Sequence, residues 1–312
     1  MKAGESELRG LRFADAYGRS LDLPGLGLQA LDALVLAMML LLAALIVLRA
    51  PRIHGPGSLL GRIAFWGLLY VASLALQRRL KAPSWRALLR LGTVQLVLGQ
   101  VYLISHPLQL IFASGWQDEK VLRLEEALFG AQPTVWLQRF VTPVLTEWMM
   151  FCYVFYLVLY PALGLLVCQR WGEKALEDYL FVLALANGIC ILGFIACPVA
   201  GPLYYMADRY TVPLRGWFFA SVGEFLHRDV HLVGGNLPSP HCAITTVMWL
   251  MAYRYRRRAF WLLAPVMATI YVSTFYGRFH YVSDTLIGIA AGLAVAALAP
   301  GLLRGWNRLT GE

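Results

Sequence analysis

Two histidine-bearing segments near the end of the chain carry the residue types that phosphoryl transfer needs. The first is Pro238-Ser239-Pro240-His241, and the second runs from His280 to Asp284. A carboxylate that accepts a hydrogen bond from one imidazole nitrogen fixes the tautomer and leaves the other nitrogen free to attack. A spacing of four predicts that His280 and Asp284 share one face of a helix. We therefore predict that His280 is a nucleophile and that Asp284 orients it.

His241 is the predicted proton donor of the same reaction. An alkoxide leaving group needs a proton as its bond to phosphorus breaks, and a second histidine can supply one. The phosphate oxygens also need hydrogen-bond donors or cations around them. The residues predicted to supply these are Ser239, Ser273, Thr274 and Arg278, together with the helix start after Pro240.

The rest of the chain has the composition of a membrane protein. Of its 312 residues, 59% are hydrophobic and 14% are charged, whereas a soluble domain is about 25% charged. Because about 20 apolar residues cross a bilayer, the apolar runs predict an all-α polytopic membrane protein with about eight transmembrane helices. The predicted spans are 28–48, 59–77, 89–113, 143–168, 178–198, 240–254, 259–276 and 281–303, of which the sixth is short.

Several segments lie outside these spans. Residues 1–27 are predicted to be a cytoplasmic lead-in, and 304–312 a cytoplasmic tail. The segment 119–142 has apolar residues at helical spacing, which favours an interfacial or re-entrant helix over a connecting loop. The connection 199–239 is rich in aromatic residues and is predicted to be a folded cap.

The charges predict which way the chain faces. Four arginines, at positions 254, 256, 257 and 258, separate the sixth and seventh spans. Cytoplasmic loops are enriched in such residues, so both histidine segments are predicted to lie on the opposite, extracytoplasmic face of the cell membrane. The net charge of +9 is spread over loops and forms no stripe on a soluble domain, so nucleic acid is not a predicted partner.

The two segments resemble those of the type 2 phosphatidic acid phosphatase superfamily. Pro238-Ser239-Pro240-His241 is similar to one family motif. Ser273-Thr274, five residues, His280, three residues and Asp284 are similar to the next, with Thr274 in place of arginine. That replacement, with Tyr281 and Gly288, resembles the inositol phosphorylceramide synthase branch. Three further stretches resemble that branch: Glu126–Gly130 with Pro133, Trp136–Gln138, and Pro198–Pro202 followed by Tyr204-Tyr205.

The resemblance covers roughly 119–303 and implies a six-helix catalytic membrane domain, here preceded by N-terminal transmembrane helices at 28–118 that include two extra spans. It implies His280 as nucleophile, Asp284 as its orienter, His241 as acid, Ser239 as a phosphate contact, and no metal or other cofactor. One family segment, a lysine followed by Arg-Pro, has no counterpart before Pro198. Arg278 is the favoured substitute cation, and Arg209 and Arg215 are weaker ones.

The implied activity is a lipid phosphotransferase, most like an inositolphosphotransferase, whose partners are a lipid phosphate or phospholipid, inositol or another alcohol, and the membrane. The alternative is a lipid phosphate phosphatase that uses water. A transporter is disfavoured because few ionisable groups lie mid-membrane, and a non-catalytic lipid-binding protein because the histidines and Asp284 are retained. His227 and His231 have zinc-like spacing without an obvious third ligand, so no metal site is predicted.

Overall fold

The computed structural model describes residues 28–230 and 232–310, and the predicted lead-in at 1–27 lies outside them. Within these residues the fold is all-helical, as predicted, and seven helices are long and apolar enough to cross a membrane. The helices are α1 (Ala30–Leu48), α2 (Pro56–Arg79), α3 (Pro83–Ser105), α4 (Asp118–Phe129), α5 (Pro133–Trp136), α6 (Pro143–Trp171), α7 (Glu173–Ala196), α8 (Pro202–Tyr205), α9 (Phe218–Phe225), α10 (Pro240–Tyr255), α11 (Arg257–Tyr276) and α12 (Val282–Leu309).

The predicted sixth span differs from the other long helices. α10 has 16 residues, so it rises about 24 Å, which is less than the roughly 30 Å of a bilayer's hydrocarbon core. Its N-cap, Ser239, is completely buried, because the chain has already entered the protein through the coil at 232–239. The prediction of about eight spans therefore becomes seven long helices and one short helix that begins inside the bundle.

α10 lies at the centre of the bundle and contacts α6, α7, α11 and α12. Its contact with α12 is close because two glycines of α12 face its backbone. A methyl group on Gly288 would lie 2.6 Å from the carbonyl oxygen of Ser239, and one on Gly292 would lie 2.6 Å from that of Ala243. Small residues four apart allow this approach between membrane helices. The glycines therefore bring the start of α12 against the start of α10.

The N-terminal helices pack on one side of this core. α3 contacts both α6 and α7, so it is the sixth helix of the core, together with α6, α7, α11, α12 and the short α10. α1 packs on α7, and α2 packs on α1 and α3. This packing agrees with a six-helix core that carries two additional N-terminal helices.

A buried ion cluster joins these N-terminal helices to α7. It consists of Asp32, Tyr70, Arg90 and Glu177. The Arg90 guanidinium lies 2.8 Å from Asp32 and 2.7 Å from Glu177, and the Tyr70 hydroxyl donates to Asp32 at 2.7 Å. Charged side chains buried in this way are stable only when they are paired. The sequence analysis did not identify this cluster, whose charged residues lie near the starts of their helices.

The remaining short helices surround the other end of the bundle. The segment 119–142 is mostly helical, as α4, α5 and a 3₁₀ turn, and α4 buries one face and exposes the other. The connection 199–239 contains α8, a 3₁₀ turn, α9 and a π-turn at Leu226–Val230. The Glu147 carboxylate of α6 accepts hydrogen bonds from the backbone N–H groups of Trp217, Phe219 and Ala220, which fixes the start of α9.

Candidate active site

The two histidine segments meet at the end of the bundle where α10 and α12 begin. His241 is the second residue of α10, and His280 lies two residues before α12. Their ring centroids are 5.8 Å apart. Because the Arg254–Arg258 turn lies at the far end of α10, both rings are on the side of the bundle opposite to that turn.

The prediction that His280 and Asp284 share a helical face is wrong, because α12 begins only at Val282. Asp284 is the third residue of that helix, and its Oδ2 accepts a hydrogen bond from the Tyr281 N–H at 2.9 Å. Its carboxylate still faces the His280 ring, with 3.7 Å between Oδ2 and Nδ1. This distance exceeds a hydrogen bond, and catalytic hydrogen bonds commonly tighten when substrate binds.

A tight turn after α11 holds His280 in place. The backbone N–H groups of Phe279 and His280 both donate to the Thr274 carbonyl. The His280 ring bonds to the backbone of Asn236, and Arg278 has a positive φ of 63°. A positive φ is uncommon for a residue other than glycine and usually marks a constrained loop. Burial lowers the pKa of His280 to about 3, so the ring is a neutral imidazole, the form that can attack phosphorus.

Three buried polar atoms at this centre have no hydrogen-bond partner in the described part of the chain. They are Nδ1 of His241, Nδ1 of His280 and Oδ1 of Asp284. Such an atom costs about 1–3 kcal/mol when it is left unpaired, so unpaired atoms are rare in folded proteins. Their concentration in these three residues, named here the catalytic cluster, indicates a site built for a polar ligand.

The predicted phosphate-binding hydroxyls lie around the catalytic cluster. Ser239 is the N-cap of α10: its Oγ accepts from the Cys242 N–H at 3.4 Å, and its own N–H donates to the Asp284 carbonyl at 3.0 Å. The hydroxyls of Ser273 and Thr274 donate to carbonyls one turn earlier in α11. Ser239 thus links α10 to α12. The Thr274 hydroxyl also reaches α12, 2.9 Å from the Thr285 hydroxyl, whereas the Ser273 hydroxyl is bonded within its own helix.

The three predicted arginines occupy different places. The Arg278 guanidinium donates to the Val212 carbonyl and lies 4.4 Å from the centre of the Tyr210 ring. Burial lowers the pKa of Arg278, although the side chain keeps this carbonyl and ring as partners. Arg209 lines a cavity beside the 131–139 segment, and Arg215 is exposed in the loop before α9. The three arginines therefore have different surroundings.

Aromatic side chains that the sequence analysis did not identify surround the histidines. Tyr153 of α6 stacks on His241 at 4.6 Å and on Phe279 at 4.1 Å between ring centroids. His227 packs on the other side, 4.3 Å from the Phe279 ring, and its Nε2 lies 2.7 Å from the Gly277 carbonyl oxygen. Its zinc-spaced neighbour His231 lies outside the described residues. His227 thus helps to hold the loop that carries His280.

Two buried carboxylates of α4 anchor the start of α12, and the sequence analysis missed both. Asp118 accepts from the Tyr281 hydroxyl and from the N–H groups of Ala200 and Gly201. Glu125 accepts from the N–H and the hydroxyl of Ser283, and burial raises its pKa.

These contacts give the Pro198–Pro202 stretch a structural role. Asp118 ties its backbone to Tyr281, the residue after His280. The Asn236 side chain donates to the carbonyls of Val199 and Ala200, and the Asn236 backbone bonds the His280 ring. Only the position of Asp118 at a helix start could have indicated these partners from the sequence.

Comparison with known proteins agrees with this architecture. The family profile of the PAP2 superfamily matches residues 119–299, which is more than half of the chain and includes both histidine segments. The chain therefore belongs to the PAP2 superfamily, whose members are generally membrane phosphatases and phosphotransferases. No curated protein and no solved structure matched the chain significantly.

Proposed function

We propose that this protein is an integral-membrane lipid phosphotransferase that forms a phosphohistidine at His280. The observation that carries the proposal is the catalytic cluster, in which two histidine rings 5.8 Å apart and a carboxylate leave three buried polar atoms unpaired. A tetrahedral phosphate placed between the rings could contact both. The neutral His280 ring and the Asp284 carboxylate beside it fit a nucleophile and its orienting group.

The reaction has two steps. A ring nitrogen of His280 attacks phosphorus, and the bond from phosphorus to the lipid oxygen breaks. His241, which takes up a proton as the anionic phosphate binds between the rings, gives that proton to the lipid oxygen. An acceptor hydroxyl then attacks the phosphohistidine, the P–N bond breaks, and neutral His241 takes the hydroxyl proton. His280 and His241 end in their starting protonation states. Donors from Ser239, the start of α10 and Arg278 are proposed to stabilise the charge on phosphorus.

The acceptor is proposed to be an alcohol, in the manner of an inositolphosphotransferase that moves a phospho-headgroup between a lipid and an alcohol. The deep burial of His280 and Asp284 supports this choice, because a site that excludes bulk water protects a phosphoenzyme from hydrolysis. The Glu126–Gly130 and Pro198–Pro202 stretches support the same branch by resemblance. With water as acceptor, the same residues would make the protein a lipid phosphate phosphatase.

We place the active site on the extracytoplasmic face of the cell membrane. The support is the basic turn at Arg254–Arg258, which joins α10 to α11 at the end of the bundle away from the catalytic cluster. Basic turns favour the cytoplasmic side, so the start of α10 would face outward.

The test uses purified full-length protein and a phospholipid with ³²P in its headgroup phosphate. We expect an acid-labile, alkali-stable phosphoenzyme in the native protein and none in His280→Ala. Added inositol should divert the label from free phosphate into a phosphoester product. Label released as free phosphate at the same rate with and without the alcohol would assign the phosphatase activity instead. A phosphoenzyme that persists in His280→Ala would remove His280 as nucleophile.

A further inference from the structure

A cavity of about 450 Å³ lies between the segment that follows α4 and the loop that precedes α9. Its lining is Ala131, Gln132, Val135, Trp136, Arg139 and Arg209. Two of these six side chains are guanidinium groups, one is an amide and one is an indole. We propose that this cavity binds the headgroup of an anionic phospholipid, with Arg139 and Arg209 on its phosphate.

Two sets of hydrogen bonds hold the walls of this cavity together. The Gln138 amide donates to the Arg209 carbonyl at 2.9 Å and accepts from the N–H groups of Thr211 and Val212 at 2.8 and 2.9 Å. The Tyr210 hydroxyl donates to Thr134 at 2.9 Å. Arg139 follows Gln138 in sequence, and the Arg209 carbonyl accepts one of these hydrogen bonds. The backbone that positions both arginines is therefore already fixed. A preorganised site binds more tightly because less freedom is lost on binding.

The two arginines lack a carboxylate partner in the part of the chain that the structure describes. Arg139 instead stacks on Trp136, with its guanidinium carbon 5.2 Å from the ring centroid. Stacking leaves the N–H groups in the guanidinium plane free to bind a phosphate in a bidentate manner. Arg123, on the nearby helix α4, differs because it forms an ion pair with Glu119. The cavity therefore concentrates positive charge that an anion would neutralise.

Gln132 adds a feature that a bare phosphate would not use. Its Nε2 donates to the Leu122 carbonyl at 2.9 Å, while its Oε1 is buried without a hydrogen-bond donor in the described residues. An amide oxygen of this kind can accept from a hydroxyl group. The combination of two guanidiniums and one free acceptor fits a headgroup that carries a hydroxyl as well as a phosphate.

The surroundings of the cavity favour a lipid over a soluble phosphate compound. Exposed apolar side chains flank it on the α4 side and along the following turns. These side chains are Leu128, Phe129, Trp136, Phe140 and Val144. Apolar surface next to arginines and an exposed tryptophan is typical of the membrane–water boundary. A phospholipid bound there would keep its chains against apolar surface and its phosphate at the arginines.

This cavity is distinct from the catalytic cluster. Its six lining residues include none of the catalytic cluster, and the Arg278 guanidinium lies over the ring of Tyr210, outside that lining. In the described residues neither Arg139 nor Arg209 bonds to His241, His280 or Asp284. The proposal thus assigns Arg209 to a bound lipid and not to the phosphate that reacts.

The proposal is tested by native mass spectrometry of the full-length protein in detergent, titrated with dihexanoyl-phosphatidylglycerol. We expect the native protein to retain one more lipid than Arg139→Gln/Arg209→Gln, with an affinity loss of about tenfold or more in the double variant. Arg139→Lys/Arg209→Lys should recover part of the binding, because charge is restored without the bidentate geometry. Arg123→Gln is the matched control and should bind as the native protein does.

Two further measurements distinguish a bound phospholipid from a soluble phosphate compound. Dihexanoyl-phosphatidylcholine should bind much more weakly, and glycerol phosphate should not displace the bound lipid at equal concentration. Displacement by glycerol phosphate would overturn the lipid assignment in favour of a soluble phosphate compound. Equal binding by the native protein and the double variant would overturn the site itself. Because the measurement counts bound lipid without turnover, its failure would not be confused with failure of the proposed reaction.

Discussion

Two groups of polar side chains are buried towards opposite ends of the helical bundle. In the ion cluster, every charged atom of Asp32, Arg90 and Glu177 has a partner, and even the second Asp32 oxygen accepts from the Gln29 N–H at 2.8 Å. In the catalytic cluster, three atoms of His241, His280 and Asp284 have none within the described chain. When every polar atom of a cluster already has a partner, none is free to bind a ligand. Polar atoms without partners can gain them when a ligand binds. The difference predicts that the ion cluster governs stability and the catalytic cluster governs activity.

The largest predicted effect is the loss of turnover when His280 is replaced. His280→Ala should reduce turnover by about 10,000-fold, or roughly 5.4 kcal/mol in activation free energy, because the covalent route is lost. Its thermal stability should fall only modestly, since the lost ring makes one hydrogen bond, to the Asn236 backbone, and leaves Nδ1 unpaired. Turnover measured with ³²P-labelled lipid and unfolding measured by scanning fluorimetry check both parts. A variant that is inactive only because it unfolds would contradict the division of roles.

The opposite pattern is expected for the ion cluster. Arg90→Met should lower the unfolding free energy by about 3–5 kcal/mol, because it leaves Asp32 and Glu177 buried without a cation. The protein that remains folded should turn over lipid at the native rate. Arg90→Met combined with Asp32→Asn and Glu177→Met removes the unpaired charges and should recover most of the stability.

The measurement is the unfolding midpoint in detergent together with turnover per folded molecule. Loss of turnover in the stable triple variant would contradict a purely structural role for the ion cluster. If the single variant Arg90→Met kept its stability, the Asp32 and Glu177 carboxylates would have to be solvated, contrary to their burial in the structure.

The sequence predicted the all-α membrane class and the neighbourhood of His241 and His280, because both rest on local patterns. The lengths of the apolar runs indicate the membrane spans. The basic turn at Arg254–Arg258 indicates that α10 and α12 begin at the same end of the bundle. The shared-face prediction for His280 and Asp284 failed, because a spacing of four does not show where a helix begins. The Asp284 side chain instead caps α12 at Tyr281.

The supporting residues depend on contacts that are remote in sequence. Asp118 reaches Tyr281 across 163 positions, and Arg90 reaches Glu177 across 87. A carboxylate at a helix start or an arginine in an apolar run has many possible partners in a single sequence. Periodicity reports which face is apolar and does not report which neighbour lies against it. Tyr153 is missed for the same reason, since a tyrosine in an apolar helix carries no motif.

A smaller effect is expected at the aromatic wall of the catalytic cluster. Tyr153→Leu removes the ring that stacks on both His241 and Phe279. An aromatic pair contributes about 0.5–1.5 kcal/mol, so kcat should fall by up to about tenfold while KM changes little. The loss should be greatest for lipids with poor leaving groups, because His241 is the proposed proton donor.

Tyr153→Phe is the matched control for this test, since it retains the ring and removes only the hydroxyl. It should keep a kcat close to native. Equal loss in the two variants would mean that the hydroxyl, and not stacking, is what the site uses.

The smallest predicted effect is a pH dependence of stability, because the catalytic cluster contains histidines and the ion cluster contains none. Burial lowers the pKa of His280 to about 3, whereas an unfolded histidine has a pKa of about 6.5. Below pH 6.5 the unfolded chain gains a proton that the folded ring does not take up, so stability is full above that pH and falls as the pH drops towards 3.

From pH 7.5 to 6.0 His280 alone should lower the unfolding free energy by about 0.8 kcal/mol. His280→Asn cannot take up that proton, so over the same interval it should lose about that much less stability than the native protein. Unfolding midpoints of the two proteins at both pH values check the difference. An equal loss in both would mean that His280 titrates in the folded protein near its ordinary pKa, and would remove the neutral imidazole on which its proposed role as nucleophile depends.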